Sequence, residues 1–279
     1  MLLMNTTRET LVLGATGKTG SRVAAALQKQ GAPVRIGSRS GTPPFDWDDE
    51  RTWEACFSGT GAAYLVYYPD IAVEGSVEKI AAATDTALRV GTRRLVLLSG
   101  RGEPEAQRAE QALIDSGADW TIVRSAWFNQ NFDEGQFVEL VRAGVVELPV
   151  GDVGEPFVDA DDVADVATAA LTDDRHVGEL YEVTGPRLLT FADAVGEIAA
   201  ASGRDIRFSR VGRADFVEAH GEQHVPDDVI ELLVELFTVV LDGRNEHLTD
   251  GVQRALGREP RDFADYARAA AATGVWSAP

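Results

Sequence analysis

The feature that most constrains this chain is the run Leu11-Val12-Leu13-Gly14-Ala15-Thr16-Gly17-Lys18-Thr19-Gly20. A short apolar run meets three glycines spaced three apart, and a helical pattern follows over 21–30. Strand, glycine turn and helix in that order form the cradle a dinucleotide pyrophosphate requires. Gly14 permits the tight turn, Gly17 lets the backbone approach the phosphates, and Gly20 lets the helix pack close on the strand. The first-turn amides then face the anion at the positive end of the helix dipole. Thr16, Lys18 and Thr19 complete the loop's candidate phosphate contacts. The alternative that the same residues allow is a glycine-rich turn with no ligand.

The rest of the first half keeps the same rhythm. Strand patterns at 34–36, 62–67, 94–98 and 120–123 alternate with helical patterns at 51–57, 77–90 and 104–116. Such alternation implies right-handed βαβ units and a parallel sheet, with ligands beyond the carboxyl ends of the strands. Those ends are 14–20, 37–39, 67–69, 99–102 and 124–131. Beyond 131 the spacing predicts helices at 134–143, 163–171, 190–201, 227–241 and 262–272, and strands at 145–148, 180–184 and 206–211. An Asp at 161 or 162 is the expected cap of the 163–171 helix, and Thr190 that of the next. The expected fold is α/β: a Rossmann-type doubly wound parallel sheet with a smaller C-terminal α+β substrate lobe. Residues 8–186 form the expected nucleotide-binding domain, with 132–157 contributing to the lobe, and 187–279 cover the substrate.

Composition narrows the partners. The 279 residues carry a formal net charge of −19, which repels nucleic acid and anionic membrane surfaces. No apolar run reaches spanning length, and 1–10 has no signal-peptide pattern. The single cysteine, Cys56, excludes an intramolecular disulfide and reads as core. The expectation is a cytoplasmic protein, monomer or homodimer, whose partner is a small-molecule substrate rather than nucleic acid or membrane. His220 and His224 are four apart, but Gly221 weakens their helix and no third ligand is evident, so no metal site is expected. His176 and His247 read as surface or cap residues.

The cofactor is chosen after the second strand. Sites for the unphosphorylated cofactor place Asp or Glu there, to bind the ribose hydroxyls. Here the residues are Ile36-Gly37-Ser38-Arg39-Ser40. Arg39 pairs with a 2′-phosphate and Ser38 and Ser40 donate to it, so the reading is NADP(H). Arg35 and Lys18 add positive charge nearby. Asp46 and Trp47 sit where adenine would lie, or form a surface turn. Ser99 ends a strand where it contacts substrate or cofactor, or closes a turn. Trp127, Phe128, Asn129 and Phe132 are candidate substrate contacts, since aromatics with a few amides suit a flat organic ligand. Tyr67 is a second catalytic candidate beside Ser99.

With these residues in hand, the chain resembles the NmrA-like atypical short-chain dehydrogenase/reductases. The glycine loop, the Arg39 turn, 95–99, and 120–128 leading to Asn131-Phe132 carry the likeness. Within that group, 45–49, 127–132, 156–162 and 242–245 are similar to bacterial relatives of ergot alkaloid reductases, the agroclavine and festuclavine dehydrogenases. The resemblance implies an NADP(H)-binding fold with a small substrate lobe, and hydride reduction of an iminium carbon in the fungal enzymes.

One departure stands out. Most short-chain dehydrogenases use a Tyr with a Lys four residues on; the Lys lowers the Tyr pKa and the Tyr protonates the forming alkoxide. The tyrosines here are Tyr64, Tyr67, Tyr68, Tyr181 and Tyr266, the lysines Lys18, Lys29 and Lys79, and no pair has that spacing. The expected region holds Glu103, Glu105, Gln107 and Glu110 instead. Ordinary ketone reduction is therefore disfavoured. An iminium, quinone or enone acceptor needs no acid, because it carries its own electron sink. Two other readings stay open: a redox sensor that binds NADP(H) without turnover, and a redox-neutral cyclase or isomerase on the same fold.

Overall fold

The computed structural model describes residues 8–135, 137–222 and 227–277. The chain divides into two compact units that interleave along the sequence. The first comprises residues up to Ser125, Ala160–Val183 and Gly251–Arg258; the second comprises Ala126–Asp159, Thr184–Asp250 and the residues from Glu259 on. The sequence expectation assigned 132–157 to the second unit's lobe but did not foresee the return of 251–258 to the first unit.

In the first unit β1 (Glu9–Leu13), β2 (Val34–Gly37), β3 (Thr60–Leu65), β4 (Arg94–Gly100), β5 (Asp119–Ser125) and β7 (Glu179–Val183) form a sheet in the order β2-β1-β3-β4-β5-β7. Every pairing is parallel. The order reverses between β1 and β3, the switch point at which doubly wound sheets bind nucleotides. Helices α1 (Lys18–Lys29) and α6 (Ala160–Thr172) pack together, and α3 (Ser76–Arg89) packs with α4 (Pro104–Ile114). The strands read as near-continuous apolar runs because the sheet is covered on both faces; Leu11, Val12, Ala63, Leu65, Val96 and Ile122 are all fully buried. The short α2 (Trp53–Phe57) carries Cys56 into this core, and burial pushes its thiol up to about 11. Helix α10 (Gly251–Leu256) packs on β7 so closely that a Cβ on Gly251 would stand 2.1 Å from the Glu182 carbonyl oxygen.

Two local expectations change here. Helix α6 begins at Ala160, so Asp161 and Asp162 lie inside its first turn rather than before it. Asp161 pairs with Arg22 at 2.7 Å and Asp162 with Arg258 at 2.7 Å. His176 is buried, not superficial: its Nδ1 lies 2.7 Å from the Tyr181 hydroxyl, and burial holds its pKa below the usual value.

The second unit is built around aromatic rings. It holds α5 (Val138–Ala143), the parallel pair β6 (Val145–Leu148) and β8 (Arg207–Arg210), α7 (Phe191–Ser202), α8 (Arg213–Glu222), α9 (Asp227–Glu235) and α11 (Phe263–Ala272). Phe132, Phe137, Phe157, Phe191, Phe237 and Phe263 share its core. Thr190 forms a complete capping box with Asp193 at the start of α7, and Asp262 caps α11 through the Ala264 amide. The 227–241 pattern is not one α-helix: a π-helical turn over Leu236–Val240 follows α9. The His220 side chain and His224 lie outside the described residues.

Candidate functional site

The glycine loop is shaped by contacts that only glycine permits. Gly14 has φ of +63°, and the Gly17 amide donates to its carbonyl at 2.8 Å. A Cβ on Gly20 would stand 2.2 Å from that carbonyl oxygen, so α1 can approach the turn only without a side chain there. Gly17 precedes α1 in extended conformation and no side chain caps the helix, whose first turn also lacks acidic residues. This uncapped first turn lies in the strand–turn–helix setting that holds a pyrophosphate. Thr16 is exposed and Lys18 half-buried beside this opening. Thr19 is buried, so its backbone amide, not its hydroxyl, belongs to the loop's open face.

The turn after β2 presents Arg39 to solvent. Gly41 and Phe45 amides both donate to the Ser38 carbonyl, at 3.0 and 2.9 Å, which folds the turn tightly. The Ser38 and Ser40 hydroxyls lie 3.4 Å apart. No carboxylate pairs with Arg39 among the described residues. Arg35 does not add to this site. It donates to Glu9 at 3.1 Å and to the Cys56 and Ser58 carbonyls at 2.8 and 2.6 Å, at the other end of its strand pair.

Asp46 and Trp47 organise the loop itself. Asp46 Oδ1 accepts from the Asp48 amide at 3.1 Å, and its carbonyl accepts from the Trp53 indole at 2.6 Å. Trp47 is buried, donates its indole N–H to the Val66 carbonyl at 3.0 Å and packs edge-on against Phe45. The ring is a core anchor, which leaves no free face for adenine. Tyr67 lies against it with ring centroids 4.9 Å apart. Burial first, then the charge of Asp48, raise the Tyr67 pKa, which makes it a poorer acid.

Ser99 is closed off. It is 2% exposed, and its hydroxyl donates to Glu110 Oε1 at 2.6 Å. Glu110 is held by two hydrogen bonds from Arg124, whose Nε lies 2.9 Å from Oε1. Ser99, Arg124 and Glu182 are register neighbours on β4, β5 and β7, and Glu182 takes a 2.7 Å bond from Arg101. The charges alternate along this row, which compensates the buried Glu110. A hydroxyl whose one proton is engaged by a carboxylate can accept hydrogen bonds but can donate no second one, so Ser99 is not a proton source.

In the second unit, 127–129 is fastened by 155–158. The Trp127 amide donates to Glu155 Oε1 at 3.1 Å, the Val158 amide to the Trp127 carbonyl at 2.8 Å, and the Asn129 amide to the Val158 carbonyl at 2.9 Å. Glu155, which the sequence reading missed, is almost fully buried. Its signal lay in its position before Pro156-Phe157, but nothing in spacing links 155 to 127. Trp127 is half-buried and stacks on Phe137 at 6.3 Å with an 8° interplanar angle. Phe237, delivered by the π turn, tilts against its ring at 5.3 Å. Phe128 is half-buried. Phe132 is fully buried among Phe137, Phe157, Phe191 and Phe263, so its ring is core rather than a ligand surface. Asn129 is 0% exposed, and neither side-chain atom finds a partner. That costs about 1–3 kcal/mol per group.

No protein-family model matches the chain. Known relatives align along nearly all of it. The (4-alkanoyl-5-oxo-2,5-dihydrofuran-3-yl)methyl phosphate reductase of Streptomyces griseus is 33% identical over 278 residues, 92% of this chain and 95% of its own. Agroclavine dehydrogenase of Claviceps fusiformis is 30% identical over 275 residues, again 92% and 95%. Among solved structures, an NADPH-dependent quinone oxidoreductase of Escherichia coli, complexed with NADPH, has a TM-score of 0.78 at 20% identity, covering 93% of this chain and 98% of that one. At that identity the likeness is one of fold.

Proposed function

This chain belongs to the NmrA-like atypical short-chain dehydrogenase/reductases, and from that premise we propose an NADPH-dependent reductase of small conjugated acceptors that works without a tyrosine–lysine acid pair. Gly14, Gly17 and Gly20 shape the pyrophosphate cradle, Thr16, Lys18 and the α1 amides line it, and Arg39 with Ser38 takes the 2′-phosphate. The cofactor, once bound, supplies a hydride equivalent. Trp127 and Phe128 are the residues of 127–132 that keep exposed surface for an acceptor.

The observation that carries this reading is the fate of the hydroxyls. Tyr64, Tyr181 and Tyr266 are buried, and burial raises the pKa of each. Tyr67 is shifted the same way, and the Ser99 hydroxyl is engaged as a hydrogen-bond donor to Glu110. None of these is poised to protonate an alkoxide near neutral pH. Tyr68 is exposed, and no lysine stands four residues beyond it. This set of groups therefore favours an acceptor that holds the incoming electron pair itself. An iminium nitrogen does so, and so does a carbonyl conjugated to the reduced carbon, with protonation from water afterwards. The name of the Streptomyces relative's substrate describes a ring double bond beside two carbonyl groups, which is an acceptor of this second kind.

The test is NADPH oxidation with four probes: 2-cyclohexen-1-one, 1,4-naphthoquinone, N-methyl-3,4-dihydroisoquinolinium and cyclohexanone. Turnover is expected with at least one of the first three and not with the saturated ketone. Failure with all of them, or equal turnover of cyclohexanone, refutes the reading.

A further inference from the structure

Arg204 ties the main chain of the second unit together, and only part of its guanidinium is engaged in doing so. It follows Gly203, which ends α7 with φ of +68°. Its Nη1 donates to the Val141 carbonyl at 3.2 Å and to the Trp276 carbonyl, and its Nη2 donates to the Arg142 carbonyl at 2.7 Å. A guanidinium has five N–H groups in a fixed fork, so the Nε–H and the second Nη2–H are left over. These two share one edge of the plane. It is the edge that grips carboxylates elsewhere in this chain. Arg51 holds Asp49 through Nε and Nη2 at 2.7 and 2.8 Å, and Arg187 holds Asp262 through the same pair, both at 2.7 Å. Among the described residues no carboxylate takes this edge of Arg204, and the adjacent Asp205 faces Arg207 at 4.0 Å. Nor is the edge sealed in the interior, since Arg204 is only half-buried.

The same residue lines a cavity of about 280 Å³ built wholly from the second unit. Helices α7 and α11 pack together, and Ala201, Ala271 and Trp276 give the cavity an apolar wall. The Trp276 ring is fixed, because its indole donates to the Phe132 carbonyl at 2.8 Å and Tyr266 packs edge-on against it. Exposed Arg268, paired with Asp265 on its own helix, also lines the opening. We propose that this cavity binds a small aryl carboxylate, with the carboxylate on the Nε/Nη2 edge of Arg204 and the ring against the alanines and Trp276. The planar fork matches a carboxylate bidentately. The volume is at the small end of ligand pockets, which suits a single ring. Charge selects against a phosphate dianion. Both α7 and α11 end at the cavity, and each carbonyl end carries a partial negative charge of about half a unit. One guanidinium edge beside two such ends favours a singly charged group. None of the residues assigned above to the cofactor or the acceptor lines this cavity, so the proposal does not rest on the reductase reading.

The probe is benzoate, titrated into the full chain without cofactor and compared with its neutral isostere benzamide and with inorganic phosphate. Binding is read by calorimetry and by the Arg204 Nε–H proton resonance, which is assigned from its loss in Arg204→Lys. Benzoate should bind with a Kd of about 1 mM or tighter and move that resonance downfield. Benzamide and phosphate should bind at least about tenfold more weakly. Arg204→Lys keeps the charge but loses the fork, and should weaken benzoate about tenfold. That change also disturbs three main-chain bonds, so a second variant leaves Arg204 in place: Ala271→Phe fills the cavity and should abolish benzoate binding. The wild-type titration decides the matter even where a variant fails to fold. Absence of benzoate binding at about 10 mM, equal binding of benzamide or phosphate, an unmoved Nε–H resonance, or full benzoate binding by Ala271→Phe each overturns the proposal. Failure of NADPH oxidation with every acceptor overturns the reductase reading and leaves this site standing.

Discussion

Arg39 carries the choice between the two nicotinamide cofactors. It is exposed, no carboxylate neutralises it among the described residues, and the Ser38 and Ser40 hydroxyls stand beside it. Arg39→Asp should weaken NADPH binding about 30- to 100-fold, the ~2–3 kcal/mol of hydrogen bonds to a charged group, and leave NADH binding little changed. Fluorescence titration with both cofactors checks this; an unaltered NADPH/NADH ratio would disprove the 2′-phosphate role. Ser99 gives a prediction of the opposite kind. Because the Ser99 hydroxyl donates to Glu110, Ser99→Ala removes one buried hydrogen bond but leaves Arg124 on the carboxylate. A stability loss of about 1 kcal/mol is expected in urea unfolding. A fall in kcat of the 10²–10⁴-fold scale typical of a lost general acid would restore Ser99 as a proton donor. These two positions also show how far residue identity reads from sequence. Arg39 is legible because the acidic alternative at its turn is a chemical contrast. Ser99 is not, because its role depends on Glu110, eleven residues on and on another element.

At the scale of elements, the strand–turn–helix at 9–29 follows from local chemistry, and it is also the most brittle part. Gly20→Ala would place a Cβ 2.2 Å from the Gly14 carbonyl oxygen, a backbone atom with nowhere to go. Helix α1 must then lift off the turn, at a cost of about 3 kcal/mol. The melting temperature should fall, and added NADPH should recover little of it; full recovery would mean the cradle had survived. Helix α11 offers a pH test. The Arg187 hydrogen bonds, chiefly, hold the Asp262 carboxyl below its usual range, and the same group caps the helix. A depressed folded pKa means stability that is present above the unfolded value of about 3.9 and is lost as pH falls through the folded value. Asp262→Ala should cost about 1 kcal/mol at pH 7, mostly the cap, because the half-exposed ion pair adds little. That difference should shrink below about pH 4, and urea unfolding at pH 7 and pH 3 decides it. The alternation of strands and helices through the sheet was readable for the same reason as α1: each element carries its own period. Helix α8 was not, since Phe216 is its main buried anchor and no apolar repeat announces it. Nor was the π turn, because 227–241 has a continuous apolar pattern and the extra residue per turn is set by packing. Phe237 goes under Trp127 and beside Phe137, Phe191 and Phe216, a destination that only the assembled unit defines.

At the scale of the whole molecule, the two features that decide chemistry are both collective. One is the withdrawal of hydroxyls. Tyr64, Tyr181 and Tyr266 all serve interior packing, so none of these three offsets the missing tyrosine–lysine spacing. Sequence spacing exposed the absence of the pair, but only burial shows that these three hydroxyls are withdrawn; Tyr68, just past β3, stays exposed. The other is charge. A formal net charge of −19 surrounds a site that must attract a polyanionic cofactor through a local cluster such as Arg39 and Lys18. The long-range field acts differently on the acceptor. It draws in a cationic iminium and ignores a neutral enone. Raising ionic strength from 0.01 M to 0.15 M shortens the screening length from about 30 Å to about 8 Å, which removes most of that attraction. With NADPH saturating throughout, kcat/KM for N-methyl-3,4-dihydroisoquinolinium should therefore fall severalfold across this range. That for 2-cyclohexen-1-one should stay flat. A parallel fall for both acceptors would place the salt effect on the protein or the cofactor instead. A flat response for the cation would mean that the acidic surface lies too far from its path to steer it.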